Sequence, residues 1–168
     1  MYKPVVYFAH GKETGPEATK IRYLTELAKA RGLGVESPDY TDLPDPDDRV
    51  QRLLVLASNT AGGLVLVGSS MGAYVSLVAS AQLRPRGLYL LAPAIGLQGY
   101  ALQEPPPYAG LTVAVHGWND EIVAVENVIR YARRYAVELH LLNSDHRLLS
   151  VLPAVGRLFE LFLESALK

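Results

Sequence analysis

The sequence has 168 residues, of which 49% are hydrophobic and 20% are charged, and its formal net charge at pH 7 is −1. This length predicts a single domain over residues 1–168, and the balanced charge argues against a nucleic acid or a membrane surface as an electrostatic partner. Because the sequence contains no cysteine, disulfides, thiolate catalysis and cysteine-ligated zinc sites are excluded.

The N-terminal segment MYKPVVYFAHG has only a short apolar run before His10. A secretory signal needs a longer apolar stretch and a cleavage site of small residues. No segment approaches the roughly 20 apolar residues of a membrane-spanning helix. We therefore expect a cytoplasmic protein without a membrane partner.

Short apolar runs alternate with helical patterns along the whole sequence. Strands are predicted at VVYFAH (5–10), around Val35 in GVESPDY, and at LVLVG (64–68), RGLYLLAP (86–93), LTVAVHG (111–117) and AVELHLL (136–142). Helices are predicted at PEATKIRYLTELAKARG (16–32), DPDDRVQRLLVLASN (45–59), MGAYVSLVASAQL (71–83), VENVIRYARRY (125–135) and PAVGRLFELFLESAL (153–167). This alternation predicts an α/β fold with three layers and about six parallel strands.

One connection is long for a compact domain. The segment from Ala92 to Gly110 is proline-rich and shows no clear helical or strand pattern. A loop of this length is usually functional or mobile. The sequence leaves open whether the segment acts as a lid.

The residues Gly68-Ser69-Ser70-Met71-Gly72 form a G-x-S-x-G pattern between a predicted strand and a predicted helix. A serine that projects above the sheet at such a corner needs a strained backbone, and glycines two positions before and after it prevent collisions. The helix start also offers free N–H groups near the serine. The alternative is an ordinary helix start at which Ser69 or Ser70 caps the helix.

A serine hydroxyl needs a base to act as a nucleophile near neutral pH. His10, His116 and His146 each follow a predicted strand, whereas His140 lies within one. The loops at the carboxyl ends of the strands form the site in open α/β sheets. His10, His116 and His146 are therefore the candidate bases.

The candidate acid is Asp120, which lies a few residues beyond its strand in HGWNDEIV. Asp145 ranks lower because a residue next to His146 cannot easily reach the ring nitrogen of its neighbour. A simple helix-capping role is the alternative for Asp120.

Ser70, Asp120 and His146 follow separate strands in the chain order Ser, Asp, His, which is the order of the α/β-hydrolase triad. The chain resembles compact, lid-less serine hydrolases of this fold. FAHG, which includes Gly11, resembles the oxyanion loop, GSSMG the nucleophile elbow, HGWNDEIV the acid loop and SDHRL the histidine loop. The resemblance implies the strand order 2-1-3-4-5-6, with no cap domain and without the two strands that open the standard fold.

The resemblance also implies a reaction. Ser70 would attack an acyl carbonyl, His146 would take its proton and Asp120 would orient the imidazole. The backbone N–H groups of Lys12 and Met71 would bind the oxyanion. The implied substrate is a small ester or thioester, and no cofactor or metal is expected. Cleavage of a peptide or amide, acyl transfer, and a non-catalytic binding protein remain alternatives, and the oligomeric state is not predicted.

Other residues have supporting or open roles. We expect His10 and His116 each to brace a loop through a hydrogen bond. Tyr74, Tyr100 and Trp118 are candidates for lining the acyl or alcohol pocket, with ordinary packing as the alternative for each.

Overall fold

The computed structural model describes residues 2–61 and 63–168, and its six strands form one parallel sheet. The strands are β1 (Val5–Ala9), β2 (Gly34–Glu36), β3 (Leu64–Ser69), β4 (Gly87–Leu91), β5 (Leu111–Gly117) and β6 (Glu138–Leu142). Their order in the sheet is β2-β1-β3-β4-β5-β6. This confirms the strand order and the parallel sheet that were predicted.

Helices cover both faces of the sheet. They are α1 (Thr19–Ala30), α2 (Pro46–Ala57), α3 (Met71–Leu83), α4 (Val125–Tyr135) and α5 (Leu152–Ala166), and a short 3₁₀ turn at Leu149–Val151 precedes the last of them. One core cluster packs α2, α3 and α4 against the sheet, and a second packs α1 and α5 against its other face. The protein is thus the predicted three-layer sandwich.

The central strands serve both clusters. Leu66 of β3 belongs to the first cluster, while its neighbours Val65 and Val67 belong to the second. Alternate side chains of a strand point to opposite faces of the sheet, so a strand covered on both sides must be apolar throughout. Every residue of β3 and β4 is buried.

Local signals explain where some elements begin. The Asp45 side chain accepts hydrogen bonds from the N–H groups of Asp47 and Asp48, and Pro46 is the first residue of α2. Helix α1 begins at Thr19, later than predicted, because the N–H of Ala18 donates to the carbonyl of Gly15 in a preceding turn. The 3₁₀ turn before α5 was not predicted.

The long connection between β4 and β5, residues 92–110, is fastened along α3 and α4. The Glu104 carboxylate accepts hydrogen bonds from Arg130 and Arg134, and the Tyr131 hydroxyl donates to the Pro105 carbonyl. The N–H of Tyr108 donates to the Ser80 hydroxyl of α3. All residues of this connection are described, and none of them lies in a helix or strand. The connection therefore contains no cap domain.

In the part of the chain that the structure describes, no helix combines the length and the apolar character needed to cross a lipid bilayer.

Candidate active site

Ser70 occupies the sharp corner between β3 and α3. Its backbone has φ 55° and ψ −113°, which is unusual for a residue with a side chain. Its N–H donates to the Leu91 carbonyl and its carbonyl accepts from the N–H of Ala73, so both sides of the corner are held. The hydroxyl makes no cap hydrogen bond to α3. The helix-capping alternative for Ser70 is therefore wrong. The Ser70 side chain is partly exposed and is free to bind other partners.

The two glycines of the pattern are required by contacts with different parts of the backbone. A Cβ on Gly68 would lie 2.3 Å from the carbonyl oxygen of Gly72. A Cβ on Gly72 would lie 1.9 Å from the carbonyl oxygen of Ala9, at the end of β1. Gly68 thus lets β3 approach α3, and Gly72 lets α3 approach β1.

A hydrogen-bonded series joins the three side chains that sequence analysis singled out. The Ser70 Oγ lies 3.0 Å from His146 Nε2, and His146 Nδ1 lies 2.7 Å from Asp120 Oδ2. Because the carboxylate can only accept, Nδ1 carries the ring proton of the neutral imidazole. Nε2 is then free to accept the hydroxyl proton of Ser70. The Asp120 side chain is fully buried, whereas the His146 side chain is 21% exposed.

The environment of Asp120 keeps it ionised. Burial raises the pKa of its carboxyl, but the hydrogen bond from His146, the N–H groups of Val123 and Ile122 and the charge on His146 outweigh burial and hold the pKa below its ordinary value. A charged carboxylate can orient the imidazole and stabilise its protonated form.

The loops that carry Asp120 and His146 are joined to each other. The N–H of Trp118 donates to the Leu142 carbonyl, and the N–H of Asn119 donates to the Ser144 carbonyl. Gly117 permits this contact, since a Cβ there would lie 2.3 Å from the Ser144 carbonyl oxygen. Sequence analysis missed Gly117, although a glycine at the end of a strand is a signal of close backbone approach.

The other candidate acid and base have structural partners of their own. The Asp145 carboxylate accepts from the N–H of Arg147 within its own loop. His116 is buried, donates from Nε2 to the Val123 carbonyl at 2.9 Å and lies 3.4 Å from Asp120 Oδ2. Burial lowers the pKa of His116. These contacts connect His116 with the loop that carries Asp120.

The loop after β1 lies directly against Ser70. A Cβ on Gly11 would lie 3.7 Å from the Ser70 Cβ. The His10 ring is buried; its Nε2 accepts from the N–H of Tyr40 and its Nδ1 donates to the Gly11 carbonyl. Burial lowers the pKa of His10, which agrees with a neutral ring that braces this loop. The Lys12 side chain is exposed, and the contribution expected of Lys12 is that of its backbone N–H.

Two cations that sequence analysis missed lie near the site. Arg49 of α2 is 2% exposed, and its guanidinium donates to the carbonyls of His10 and Gly11. Its place beside the apolar residues Val50 and Leu53 was the available signal that this side chain is buried.

Lys20 of α1 interacts with the charges of Asp120 and Asp145, but burial lowers its pKa to about 8.

The three aromatic pocket candidates differ in position. Tyr74 has no exposed surface, and its hydroxyl donates to Asp47 and accepts from the N–H of Leu102. This corresponds to the packing alternative. Tyr100 is partly buried, with its ring centroid 4.8 Å from that of Tyr74. Trp118 is 53% exposed and lies two residues before Asp120, so it is accessible to a ligand at this rim.

Among the comparisons with known proteins, the comparison with solved structures gives a near-complete match. No model of a known protein family matches the sequence, and no curated protein matches it. A solved structure of the alpha/beta hydrolase superfamily from Xanthomonas campestris pv. campestris is 32% identical, with a TM-score of 0.88, and the match covers 97% of this chain and 99% of that one.

More distant structures share the fold. Est1E from Butyrivibrio proteoclasticus is 18% identical, with a TM-score of 0.78 over 98% of this chain and 88% of that one. XC6422 from Xanthomonas campestris, a serine hydrolase without a lid, is 19% identical, with a TM-score of 0.71 over 98% of this chain and 83% of that one. These two show the shared fold, and it is the near-complete match at 32% identity that shows that the chain belongs to the α/β-hydrolase superfamily of enzymes.

Proposed function

We propose that the protein is a serine hydrolase that cleaves a small ester or thioester through an acyl-enzyme intermediate. The observation that carries this proposal is the series of hydrogen bonds from Ser70 Oγ through His146 to the buried carboxylate of Asp120. A nucleophile, a base and a group that orients the base are the parts such a reaction needs.

In the proposed reaction, Ser70 Oγ forms a bond to the acyl carbonyl carbon while its proton passes to His146 Nε2. The imidazolium then gives this proton to the leaving alcohol or thiol, which departs as the carbonyl re-forms. Water, activated by the same nitrogen, releases the acid and restores Ser70. Asp120 stabilises the imidazolium in both halves of the cycle.

The negative charge of the tetrahedral intermediate needs hydrogen-bond donors. We propose the N–H groups of Met71 and Lys12. Met71 is the first residue of α3, so its N–H has no acceptor within the helix and lies at the positive end of the helix dipole. Lys12 follows Gly11, where an added Cβ would lie 3.7 Å from the Ser70 Cβ, which supports a place for this loop beside the proposed nucleophile. Loss of one such donor typically costs about 3 kcal/mol of transition-state stabilisation.

A fluorophosphonate probe tests the nucleophile. We expect labelling of the wild-type protein and of Ser69→Ala, no labelling of Ser70→Ala and weak labelling of His146→Ala. Ser69→Ala is the matched control because Ser69 is the buried neighbour in the same pattern. Full labelling of Ser70→Ala would show that the nucleophile was wrongly chosen, and no labelling of the wild type would favour a binding protein.

The substrate class is tested with p-nitrophenyl esters of increasing acyl length, an acyl thioester and the matching anilide. Because the connection between β4 and β5 contains no cap domain that could enclose a long acyl chain, we expect the short esters to be cleaved most efficiently. Cleavage of the anilide at the rate of the ester would favour the amidase alternative. A product that appears only when an acceptor alcohol is added would favour acyl transfer.

A further inference from the structure

The buried arginine of α2 is the most unusual charged group in the described part of the chain. Arg49 is 2% exposed, yet its hydrogen bonds go to backbone carbonyls: Nε donates to Leu43 at 2.7 Å, and Nη1 donates to His10 and Gly11, each at 3.2 Å. A buried charge is costly, and arginine in such a place is usually paired with a carboxylate. The position is therefore poorly explained by stability alone.

The two carbonyls that Arg49 Nη1 binds belong to consecutive peptide groups. In a trans peptide, the C=O and the following N–H point in opposite directions. Holding the carbonyls of His10 and Gly11 toward Arg49 turns the N–H groups of Gly11 and Lys12 away from it. The hydrogen bonds to the Gly11 carbonyl thus fix the orientation of the Lys12 N–H, a proposed oxyanion donor that belongs to the same peptide group.

His10 acts on the same peptide. Its Nε2 accepts from the N–H of Tyr40 at 2.9 Å, which requires that the proton of the neutral ring lie on Nδ1. Nδ1 then donates to the Gly11 carbonyl at 2.8 Å. The Gly11 carbonyl therefore receives two hydrogen bonds, one of them from a cation. Hydrogen bonds donated to a carbonyl polarise its peptide group and make the N–H of that group a stronger hydrogen-bond donor.

We propose that Arg49 is a positioning residue for catalysis, which holds and polarises the peptide groups after β1 so that the Lys12 N–H is directed at the developing oxyanion. This proposal rests on the proposed function, because an oxyanion forms only if Ser70 attacks a carbonyl. The hydrogen bonds of Arg49 in the described part of the chain go to backbone carbonyls and not to Ser70, so Arg49 would act through the loop after β1. A misplaced donor would weaken binding of the transition state more than binding of the ester.

The test compares p-nitrophenyl acetate with its thiono analogue, in which sulfur replaces the carbonyl oxygen and accepts hydrogen bonds poorly. The variants are Arg49→Lys, Arg49→Gln and Arg49→Met, and circular dichroism establishes which of them fold. We expect kcat for the oxygen ester to fall by about 10- to 100-fold with KM little changed. We expect the ratio of kcat/KM for the oxygen ester to that for the thiono ester to fall about 10-fold.

Arg52→Met is the matched control. Arg52 lies one turn further along α2 and pairs with Asp42 and the Asp39 carbonyl rather than with the loop after β1. We expect this variant to keep the wild-type ratio. A fold-stabilising role alone would lower the amount of active enzyme and reduce both rates equally, so it would leave the ratio unchanged.

Each outcome decides between the two proposals. If Ser70→Ala abolishes activity but the folded Arg49 variants keep the wild-type ratio, the positioning role is overturned and the serine hydrolase stands. If Ser70→Ala retains activity, the proposed function itself fails. If none of the three Arg49 variants folds, Arg49 serves the fold rather than the oxyanion loop, and the proposal is likewise overturned.

Discussion

Ser70 has a strained backbone conformation that leaves its side chain without a hydrogen bond to its own helix. Its positive φ is held by hydrogen bonds from the Ser70 N–H to Leu91 and from the N–H groups of Ala73 and Ala94 to the Ser70 carbonyl. Such a conformation costs about 1 to 3 kcal/mol and persists only where the surroundings fix it. The strain keeps the hydroxyl off the helix and available to His146.

The glycine that follows Ser70 by two residues provides a steric test at the residue scale. In Gly72→Ala, the new methyl group would lie 1.9 Å from the Ala9 carbonyl oxygen, so α3 or β1 must move. Gly72 lies in a helix, where alanine is otherwise favoured. We expect a loss of about 2 to 4 kcal/mol in the free energy of unfolding, measured by urea denaturation, and loss of esterase activity.

Gly15→Ala is the control for this substitution. A Cβ on Gly15 would meet only the Thr41 methyl group, at an ordinary 3.7 Å. Its free energy of unfolding should stay within about 1 kcal/mol of the wild type. Wild-type stability and activity in Gly72→Ala would contradict the close contact between α3 and β1.

At the scale of elements, the site depends on two loops that lie against each other. The backbone of the acid loop after β5 donates to the end of β6 and to the histidine loop beyond it. Asp120 is anchored by the N–H groups of Ile122 and Val123 in its own loop. The distance between the carboxylate and the imidazole is therefore set by loop packing as well as by the two side chains.

Gly117→Ala tests that packing. Its methyl group would lie 2.3 Å from the Ser144 carbonyl oxygen and 2.6 Å from that of Asp145, which separates the two loops. We expect kcat for p-nitrophenyl acetate to fall about 100-fold, because a shift of about 1 Å misplaces His146. The cost in stability should be about 1 to 3 kcal/mol. An unchanged kcat would mean that the loops can separate without moving the imidazole.

The connection between β4 and β5 supports a second prediction at this scale. The Glu104 side chain is only 13% exposed and joins this connection to Arg130 and Arg134 of α4. We expect Glu104→Gln to lower the free energy of unfolding by about 1 kcal/mol and to speed cleavage of the connection in limited proteolysis, with kcat unchanged. Arg133→Gln, an exposed change on the same helix, should leave proteolysis unchanged. Slower turnover in Glu104→Gln would indicate that the connection takes part in the reaction.

At the scale of the whole molecule, much of the architecture could be predicted because its signals are local. The two-sided apolar strands, the Asp45-Pro46 helix start and the alternation of elements each follow from neighbouring residues. The helix from Met71 to Leu83 and the strand from Leu111 to Gly117 have the bounds that were predicted. The rim that carries Ser70, Asp120 and His146 follows from the parallel sheet alone.

What could not be predicted depends on contacts between distant segments. Arg49 donates hydrogen bonds to the carbonyls of His10 and Gly11, which precede it in the chain by 39 and 38 positions. Gly117 is constrained by the loop that follows β6. Tyr74 was a pocket candidate with packing as its alternative, and the structure shows that the residue is fully buried, with its ring in edge-to-face contact with that of Tyr100. Distances across the sheet's rim are not encoded in any local pattern.

The buried carboxylate of Asp120 links the site to the stability of the whole molecule. Its pKa in the folded protein lies below the ordinary value of 3.8, because hydrogen bonds and the charge on His146 outweigh burial. A lowered pKa means that the folded state binds protons less readily than the unfolded state, so this carboxylate stabilises the fold above about pH 4 and loses that effect as the pH falls further.

We expect the free energy of unfolding of Asp120→Asn to fall less than that of the wild type between pH 5 and pH 3, as measured by urea denaturation at each pH. Glu121→Gln, an exposed neighbour, should follow the wild-type curve. Parallel curves for Asp120→Asn and the wild type would show that the carboxylate gains nothing from its partners on folding.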